Sequence, residues 1–178
     1  IPEYLFITNA NEHENNTIKD MKPKKGDIVT FDKGYNNYEQ FQSLTDQGIY
    51  FVTRLKDNAR YTIVSRNTKK PKGITSDQCI RFTGKLTSSK CNTKLRRIRV
   101  KDSETGNAII LLTNIKDMAA STISKMYRSR WQIELFFKAI KQNLRIKKYY
   151  GKSENAVKTQ VWIALITYLL YMKLKELC

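Results

Sequence analysis

The spacing of apolar residues changes twice along the chain, and that succession limits the folds open to it. Over residues 1–56, short β-branched and aromatic runs alternate with helical spacing. Tyr4–Thr8 predicts a strand, and Asn11–Lys22 is polar with room for a short helix. Asp27–Asp32 predicts a strand by its Ile, Val, Thr and Phe content, and Lys33-Gly34 breaks it. Tyr38, Phe41 and Leu44 recur at helical spacing over 38–47, with Gly48 as the stop. Ile49–Leu55 predicts another strand. Strand, helix, strand, helix, strand implies a layered sheet with helices on it.

Residues 57–114 have a different texture. Arg60–Ser65, Gln78–Phe82, Leu95–Val100 and Ala108–Thr113 are short alternating runs. Pro71-Lys-Gly73, Ser88-Ser-Lys90 and Ser103-Glu-Thr-Gly106 separate them and predict turns. Residues 115–178 then turn helical. Helices are expected over Ala119–Lys148 and Glu154–Leu177, with Gly151 as a stop and Ser153 as an N-cap. On the last helix Val161, Leu165, Leu169 and Met172 share a face and read as core. No apolar run approaches the roughly 18 residues a membrane span needs.

The chain has 178 residues with 33 Lys and Arg against 16 Asp and Glu, a formal charge of +17. An excess of that size points to a polyanionic partner, nucleic acid before lipid. It is uneven: residues 69–101 hold eleven Lys or Arg and one Asp. Such a run is either a solvated face or a phosphate-binding one. With three scattered cysteines, no CxxC pair and one histidine, His13, a zinc site is excluded as an expectation. A reducing, cytosolic compartment fits the cysteine usage. His13 receives no chemistry, and Asp27, Asp46 and Asp57 read as solvated.

The expected helix from Ala119 carries two stripes. Advancing about 100° per residue, Met126, Ile133, Phe137, Ile140 and Leu144 gather within one narrow apolar sector. That sector is expected to face a core. Tyr127, Arg130, Glu134, Lys138 and Lys141 gather in a second sector beside it. One carboxylate among cations and a tyrosine supports two readings. The first is i, i+4 pairing of Glu134 with Arg130 and Lys138, worth roughly 0.2–0.5 kcal/mol per pair. The second is a metal-binding carboxylate with phosphate-binding neighbours.

The run Tyr127-Arg-Ser-Arg-Trp-Gln-Ile-Glu134-Leu-Phe-Phe-Lys-Ala-Ile-Lys141 has the form Y-x2-R-x3-E-x6-K. It resembles the signature of bacterial insertion-sequence transposases of the insertion sequence four type, within the DDE superfamily. The flanking text agrees: Leu111-Leu-Thr-Asn114 before it, then Lys141-Gln-Asn-Leu144 and Gly151-Lys-Ser-Glu-Asn-Ala156 after it. A second block, Phe31-Asp-Lys-Gly-Tyr35 followed by Phe41, Leu44, Gly48, Phe51-Val52 and Arg54, resembles the family's segment around its second catalytic aspartate. The likeness runs from Ile1 to about Tyr171.

The resemblance implies an α/β (α+β) fold, an RNase H-like mixed sheet flanked by helices. Residues 1–56 would begin that core, 57–114 would be a β-rich insertion, and 115–178 would supply the closing helices. It implies that Asp32 and Glu134 are catalytic carboxylates and metal ligands for Mg²⁺ or Mn²⁺. Tyr127, Arg130 and Lys141 would handle DNA phosphates, with Lys138 on the same stripe. Trp131 is expected to pack rather than to stack on a base. Hard oxygen ligands suit Mg²⁺, and a two-ion clamp serves phosphoryl transfer.

The resemblance also implies partners and a place of action. These are double-stranded DNA at transposon ends and targets, a homodimer in the synaptic complex, no membrane, and the bacterial cytoplasm with its nucleoid. The family's first aspartate lies on a strand upstream of the segment resembling Ile1–Thr8. The chain is therefore expected to be a fragment lacking that carboxylate and strand, with an incomplete metal site and little activity alone. Two other functions remain beside cut-and-paste transposition: a non-enzymatic DNA-binding remnant, and an RNase H-like nuclease.

Overall fold

The computed structural model describes residues 21–68, 71–101, 106–143, 151 and 153–177. The strand expected at Tyr4–Thr8 and nearly all of the polar segment before Lys22 lie outside these residues. The described residues up to Arg130 form one compact unit, and those from Trp131 onward belong to another.

The first unit is built on one mixed sheet. Its strands are β1 (Ile28–Thr30), β2 (Tyr50–Arg54), β3 (Tyr61–Arg66), β4 (Ile74–Phe82), β5 (Leu95–Lys101) and β6 (Ala108–Thr113). They lie in the order β1-β2-β6-β5-β4-β3. β1 and β2 are parallel, with Ile28 opposite Tyr50 and Thr30 opposite Val52. All other pairings are antiparallel. The strands of 57–114 thus continue the same sheet through β6, which pairs with both β2 and β5. With its flanking helices the unit is of the α+β class and consistent with an RNase H-like fold.

Helix α1 (Tyr38–Asp46) makes the crossover between the parallel strands. The Asn37 side chain accepts from the Glu39 N–H at 3.0 Å and caps its start. Gly48, at φ +69°, ends it in the left-handed region, where Lys25 already approaches the space a Cβ would fill. The apolar face of α1 buries Phe41 and Leu44. Phe41 stacks on Phe51 of β2 with centroids 4.9 Å apart and rings 11° from parallel, and Phe31 lies within 6.3 Å of both. A short helix α2 (Lys85–Lys90) closes the same face beside β4. The sequence predicts a turn there. Lys85, Leu86, Ser89 and Lys90 of α2 are exposed and none of its residues is buried, so no apolar periodicity announces the helix.

On the opposite face of the sheet, α3 (Ala120–Ser129) buries Ala120, Ile123 and Tyr127 against Val52, Ile98 and Leu111. Two side chains tie this connection down. Asn114, just past β6, accepts from the Phe51 N–H at 2.9 Å and donates to the Ile49 carbonyl at 2.8 Å. One amide therefore makes both bonds that a further strand residue would make to β2. Arg96 on β5 donates to both Asp77 oxygens at 2.8 and 2.7 Å. It also donates to the carbonyls of Lys116 and Met118 at 2.9 and 2.6 Å. The fork pins the loop entering α3 to a buried carboxylate.

The long helix expected over Ala119–Lys148 is interrupted. α3 ends at Ser129, and α4 (Trp131–Asn143) starts one residue after Arg130. The cause is local. The Arg130 N–H reaches back three residues to Tyr127 at 3.2 Å, and the Ser129 hydroxyl donates to the Met126 carbonyl at 2.7 Å. Both tighten the last turn and divert its bonds from the α pattern.

In the second unit, α4 and α5 (Glu154–Leu177) meet through Phe136, which sets its ring edge-on to Tyr168 at 4.9 Å. Ala164 and Leu165 are buried there. Ser153 caps α5, accepting from the Ala156 N–H at 3.2 Å. The expected apolar sector is not the buried one: Ile133 and Phe137 are 52% and 44% exposed. Phe136, one residue from Phe137, takes the inward position instead. The side chain of Ile140, and Leu144 altogether, lie outside the described residues. Trp131, expected to pack, begins the new helix and is 57% exposed. The core reading of α5 holds for Leu165, which is buried, and for Val161, Leu169 and Met172, which are half-buried.

Two outcomes are expected. Replacing Asn114 by Leu strands a buried N–H and a buried carbonyl, so urea unfolding should show a loss of about 3 kcal/mol. Burial pushes the Cys91 thiol up to about 11 from its ordinary 9.0. The folded state therefore prefers the thiol neutral. That contribution is intact below pH 9 and is lost as pH rises from 9 through 11. Melting temperature should fall across that window, and Cys91→Ala should flatten the fall.

Candidate active site

Asp32 stands where β1 ends. The Phe31 N–H still bonds the Val52 carbonyl at 3.2 Å, so the ladder runs one residue past the strand. Asp32 is extended, at φ −77° and ψ 162°, and opens the 3₁₀ turn Lys33–Tyr35. Its own carbonyl accepts from the Tyr35 N–H at 3.1 Å. The backbone is thus satisfied, and the half-buried carboxylate leaves the sheet at the carboxyl end of a parallel strand. Open sheets with parallel strands bind their ligands at that end.

Three further side chains converge on it. Tyr127 of α3 is buried and donates from its hydroxyl to Asp32 Oδ1 at 3.4 Å, across 95 residues of sequence. The Arg130 guanidinium lies over the Tyr127 ring, 5.5 Å from its centroid. Arg54 ends β2. Because Thr30 is opposite Val52 in a parallel register, the residues two further on, Asp32 and Arg54, are level with each other. Burial raises the Tyr127 hydroxyl above its ordinary pKa, and the Asp32 charge adds to that rise. Arg130 and Arg54 oppose it. A neutral hydroxyl is a donor, which suits the bond to Asp32.

The backbone around Arg54 is anchored as well. Asn36, from the loop after the 3₁₀ turn, donates to the Arg54 carbonyl at 2.7 Å and accepts from the Thr53 hydroxyl at 2.9 Å. This amide ties the ends of β1 and β2 together. Neither Arg54 nor Asn36 is among the candidate site residues that the sequence offers. Arg54 becomes visible as soon as the strand register is known, whereas Asn36 carries no sequence signal of its own.

Of the candidates from the sequence, the structure brings Asp32, Tyr127 and Arg130 together in the first unit. Glu134, Lys138 and Lys141 are on α4 in the second. Glu134 lies in the first turn of that helix and is exposed, as is Lys138. The Lys141 side chain lies outside the described residues. At i, i+4 and i, i+7 the three share one helix face.

The oxygen donors present suit a hard divalent cation. Among the described residues Asp32 has no ion-pair partner, and neither a thiol nor an imidazole joins it in a cluster. No group of three or more His, Cys, Asp or Glu forms a metal cluster among the described residues. Asp32 thus fits as one carboxylate ligand rather than as a complete cage. No described helix is long and apolar enough to cross a membrane.

Comparison with known proteins gives one consistent result. Residues 2–170 match the model of the family described as transposase DDE domain. A protein of Sinorhizobium fredii that carries the name transposase is 36% identical over 174 residues, 95% of this chain and 48% of that protein. A protein of Geobacillus stearothermophilus named as a transposase for an insertion sequence element is 31% identical over 147 residues, 80% of this chain and 38% of that protein. A third, from Synechocystis and named likewise, is 27% identical over 164 residues, 90% of this chain and 44% of that protein. The chain spans about half the length of these relatives or less.

Substitutions at Tyr127 separate packing from hydrogen bonding. Tyr127→Phe keeps the ring and gives up one long hydrogen bond, so its stability loss should stay below about 1 kcal/mol. Tyr127→Ala opens a cavity between α3 and the sheet and should cost about 3–5 kcal/mol. Urea unfolding of both variants checks the pair.

Proposed function

We propose, taking as premise that this chain belongs to the transposase DDE domain family, that it carries catalytic residues of cut-and-paste DNA transposition. The substrate is double-stranded DNA at the ends of an insertion sequence, and the reaction is phosphoryl transfer. Water attacks a phosphodiester at the transposon end, the P–O bond breaks and a 3′-hydroxyl is released. That hydroxyl then attacks a phosphodiester of target DNA and displaces a second 3′-hydroxyl. The observation that carries the proposal is the meeting of Asp32 with Tyr127 at 3.4 Å, with Arg130 over the ring. Two motif blocks far apart in sequence converge at the carboxyl end of one parallel strand.

Asp32 and Glu134 would each serve as a carboxylate ligand of Mg²⁺ or Mn²⁺. When bound, the ions supply Lewis-acid stabilisation to the phosphate undergoing transfer. Arg130 offers a planar fork to phosphate oxygens, while Lys138 and Lys141 offer point charges. Tyr127 has a role beyond phosphate contact: its hydroxyl orients the Asp32 carboxylate. Residues 57–114 are the β-rich insertion between the two carboxylates. A homodimer pairing two transposon ends, the insertion sequence four type of the motif, and action at the bacterial nucleoid belong to the same proposal.

The test uses the protein expressed at the full length of its open frame, with Mg²⁺ and transposon-end DNA. Asp32→Ala and Glu134→Ala should each lower strand cleavage by about 10⁴-fold or more, with DNA binding retained. Cleavage within tenfold of the parent in either variant would remove that carboxylate from the chemistry. Loss of joining with cleavage intact would point to a nuclease instead.

A further inference from the structure

The sheet of the first unit has a basic face that the active-site residues do not use. Register places the side chains. Ile63, Ile80 and Leu95 lie in one cross-strand row, and Ile80 and Leu95 are buried in the core that contains Phe41. The next row on that face is Arg66, Gln78, Arg97 and Leu112. Beyond it come Ser76, Arg99 and Ile110, then Lys101 beside Ala108. Helices α1 and α2 lie toward the apolar end of the face, against β2 and β4. At the other end Arg66, Arg99 and Lys101 are exposed and Arg97 is half-buried.

Among the described residues, opposing charge is missing from this surface. Residues 69–101 contain a single Asp, Asp77. Its register partner is Ile98, so it points to the opposite face, where it is 3% exposed and closed in the Arg96 fork. None of Arg66, Arg97, Arg99 and Lys101 has an ion pair among the described residues. Arg97 is also held in place. It donates to Ser76 Oγ at 3.2 Å and Gln78 Oε1 at 3.0 Å, and lies 5.4 Å from the Tyr61 ring centroid. Its Nε is buried without a hydrogen-bond partner. The guanidinium is spread along the sheet by neutral groups that leave its charge uncompensated.

Arg97, Arg99 and Lys101 alternate along one strand, so they stand roughly 7 Å apart in a line, with Arg66 about two strand spacings, roughly 10 Å, to the side. We propose that this face, Arg66, Arg97, Arg99 and Lys101 across β3 to β5, is a docking surface for the phosphate backbone of duplex DNA, separate from the Asp32 site. It rests on the reading that DNA is the substrate. A row of cations, with Arg97 held in place and no acid beside it among the described residues, suits a repeating anion that needs no base contact. The surface would therefore supply affinity and orientation rather than sequence preference.

Fluorescence anisotropy of a labelled duplex, measured with the chain from 50 to 200 mM KCl, tests the surface. Every phosphate that the protein ceases to neutralise lowers the slope of log K against log salt by about 0.9. The variant Arg97→Gln/Arg99→Gln/Lys101→Gln should reduce that slope by about 2–3 units and weaken binding at least tenfold at 100 mM. The control Lys85→Gln/Lys94→Gln/Lys116→Gln removes the same charge elsewhere and should change the slope by less than about one unit. Arg99→Gln/Lys101→Gln leaves the Arg97 hydrogen bonds intact and should still lower the slope by about 2 units if the larger variant misfolds by circular dichroism. Equal losses in the sheet variant and the control would overturn the proposal, since net charge alone would then account for binding. Binding unchanged in the sheet variants would overturn it while leaving the transposase reading untouched. A parent chain that binds no duplex at 50 mM KCl would sink both.

Discussion

The parallel pairing of Ile28–Thr30 with Tyr50–Arg54 is the constraint on which the chemistry of the first unit depends. Parallel neighbours require a crossover, and α1 supplies it, capped by Asn37 and stopped by Gly48. The pairing brings two strand ends level, so an acid and a base two residues past the paired positions come to the same edge. Asn36 ties those ends together, and Asn114 satisfies β2 where the neighbouring strand has already ended. The aromatic stack of Phe31, Phe41 and Phe51 lies directly beneath. A shift of one residue between β1 and β2 would turn Asp32 to the other face of the sheet.

From that edge the rest follows by packing. β6 pairs with β2 and leads, through a loop held by Arg96 and Asp77, into α3. The loop sets where α3 begins, and the burial of Ile123 sets how it rolls. Together they deliver the Tyr127 hydroxyl to Asp32. Arg96 therefore acts on the site at a distance, as a clamp on the loop that aims the tyrosine. Breaking a buried pair of this kind costs several kcal/mol, because it leaves a charge without its partner. The one acid in the most basic stretch is used inside the sheet, and among the described residues no acid pairs with the cations of the other face.

Much of this is legible in the sequence because it is local. β1, β2, β5 and β6 carry β-branched or aromatic runs, and α1 and α5 carry an apolar period near 3.6. The exposed helix Lys85–Lys90 has no such period and reads as a turn. The break at Arg130 is hidden because the apolar period runs through it unbroken, while backbone and Ser129 hydrogen bonds decide the matter. The same break changes which face of α4 is buried, so Phe136 replaces Phe137 and Trp131 is left exposed. At the site, Asp32 and Tyr127 are legible through resemblance to known sequences, whereas Arg54 belongs to the same resembling block but is placed level with Asp32 only by the register. The placement of Asp77 inside the sheet cannot be read from composition, since one acid among eleven cations looks solvated.

Asp32 and Glu134 are proposed here as carboxylate ligands of a divalent cation. Mn²⁺ broadens the amide signals of nearby residues, so titrating it into isotope-labelled protein at full length tests the claim most directly. The amides beside Asp32, such as Lys33 and Gly34, and those beside Glu134, such as Ile133 and Leu135, should each broaden on addition of Mn²⁺. Asp32→Ala should abolish the broadening at Lys33 and Gly34, and Glu134→Ala that at Ile133 and Leu135. A segment that does not broaden, or whose broadening survives loss of its own carboxylate, would remove that carboxylate from the metal site.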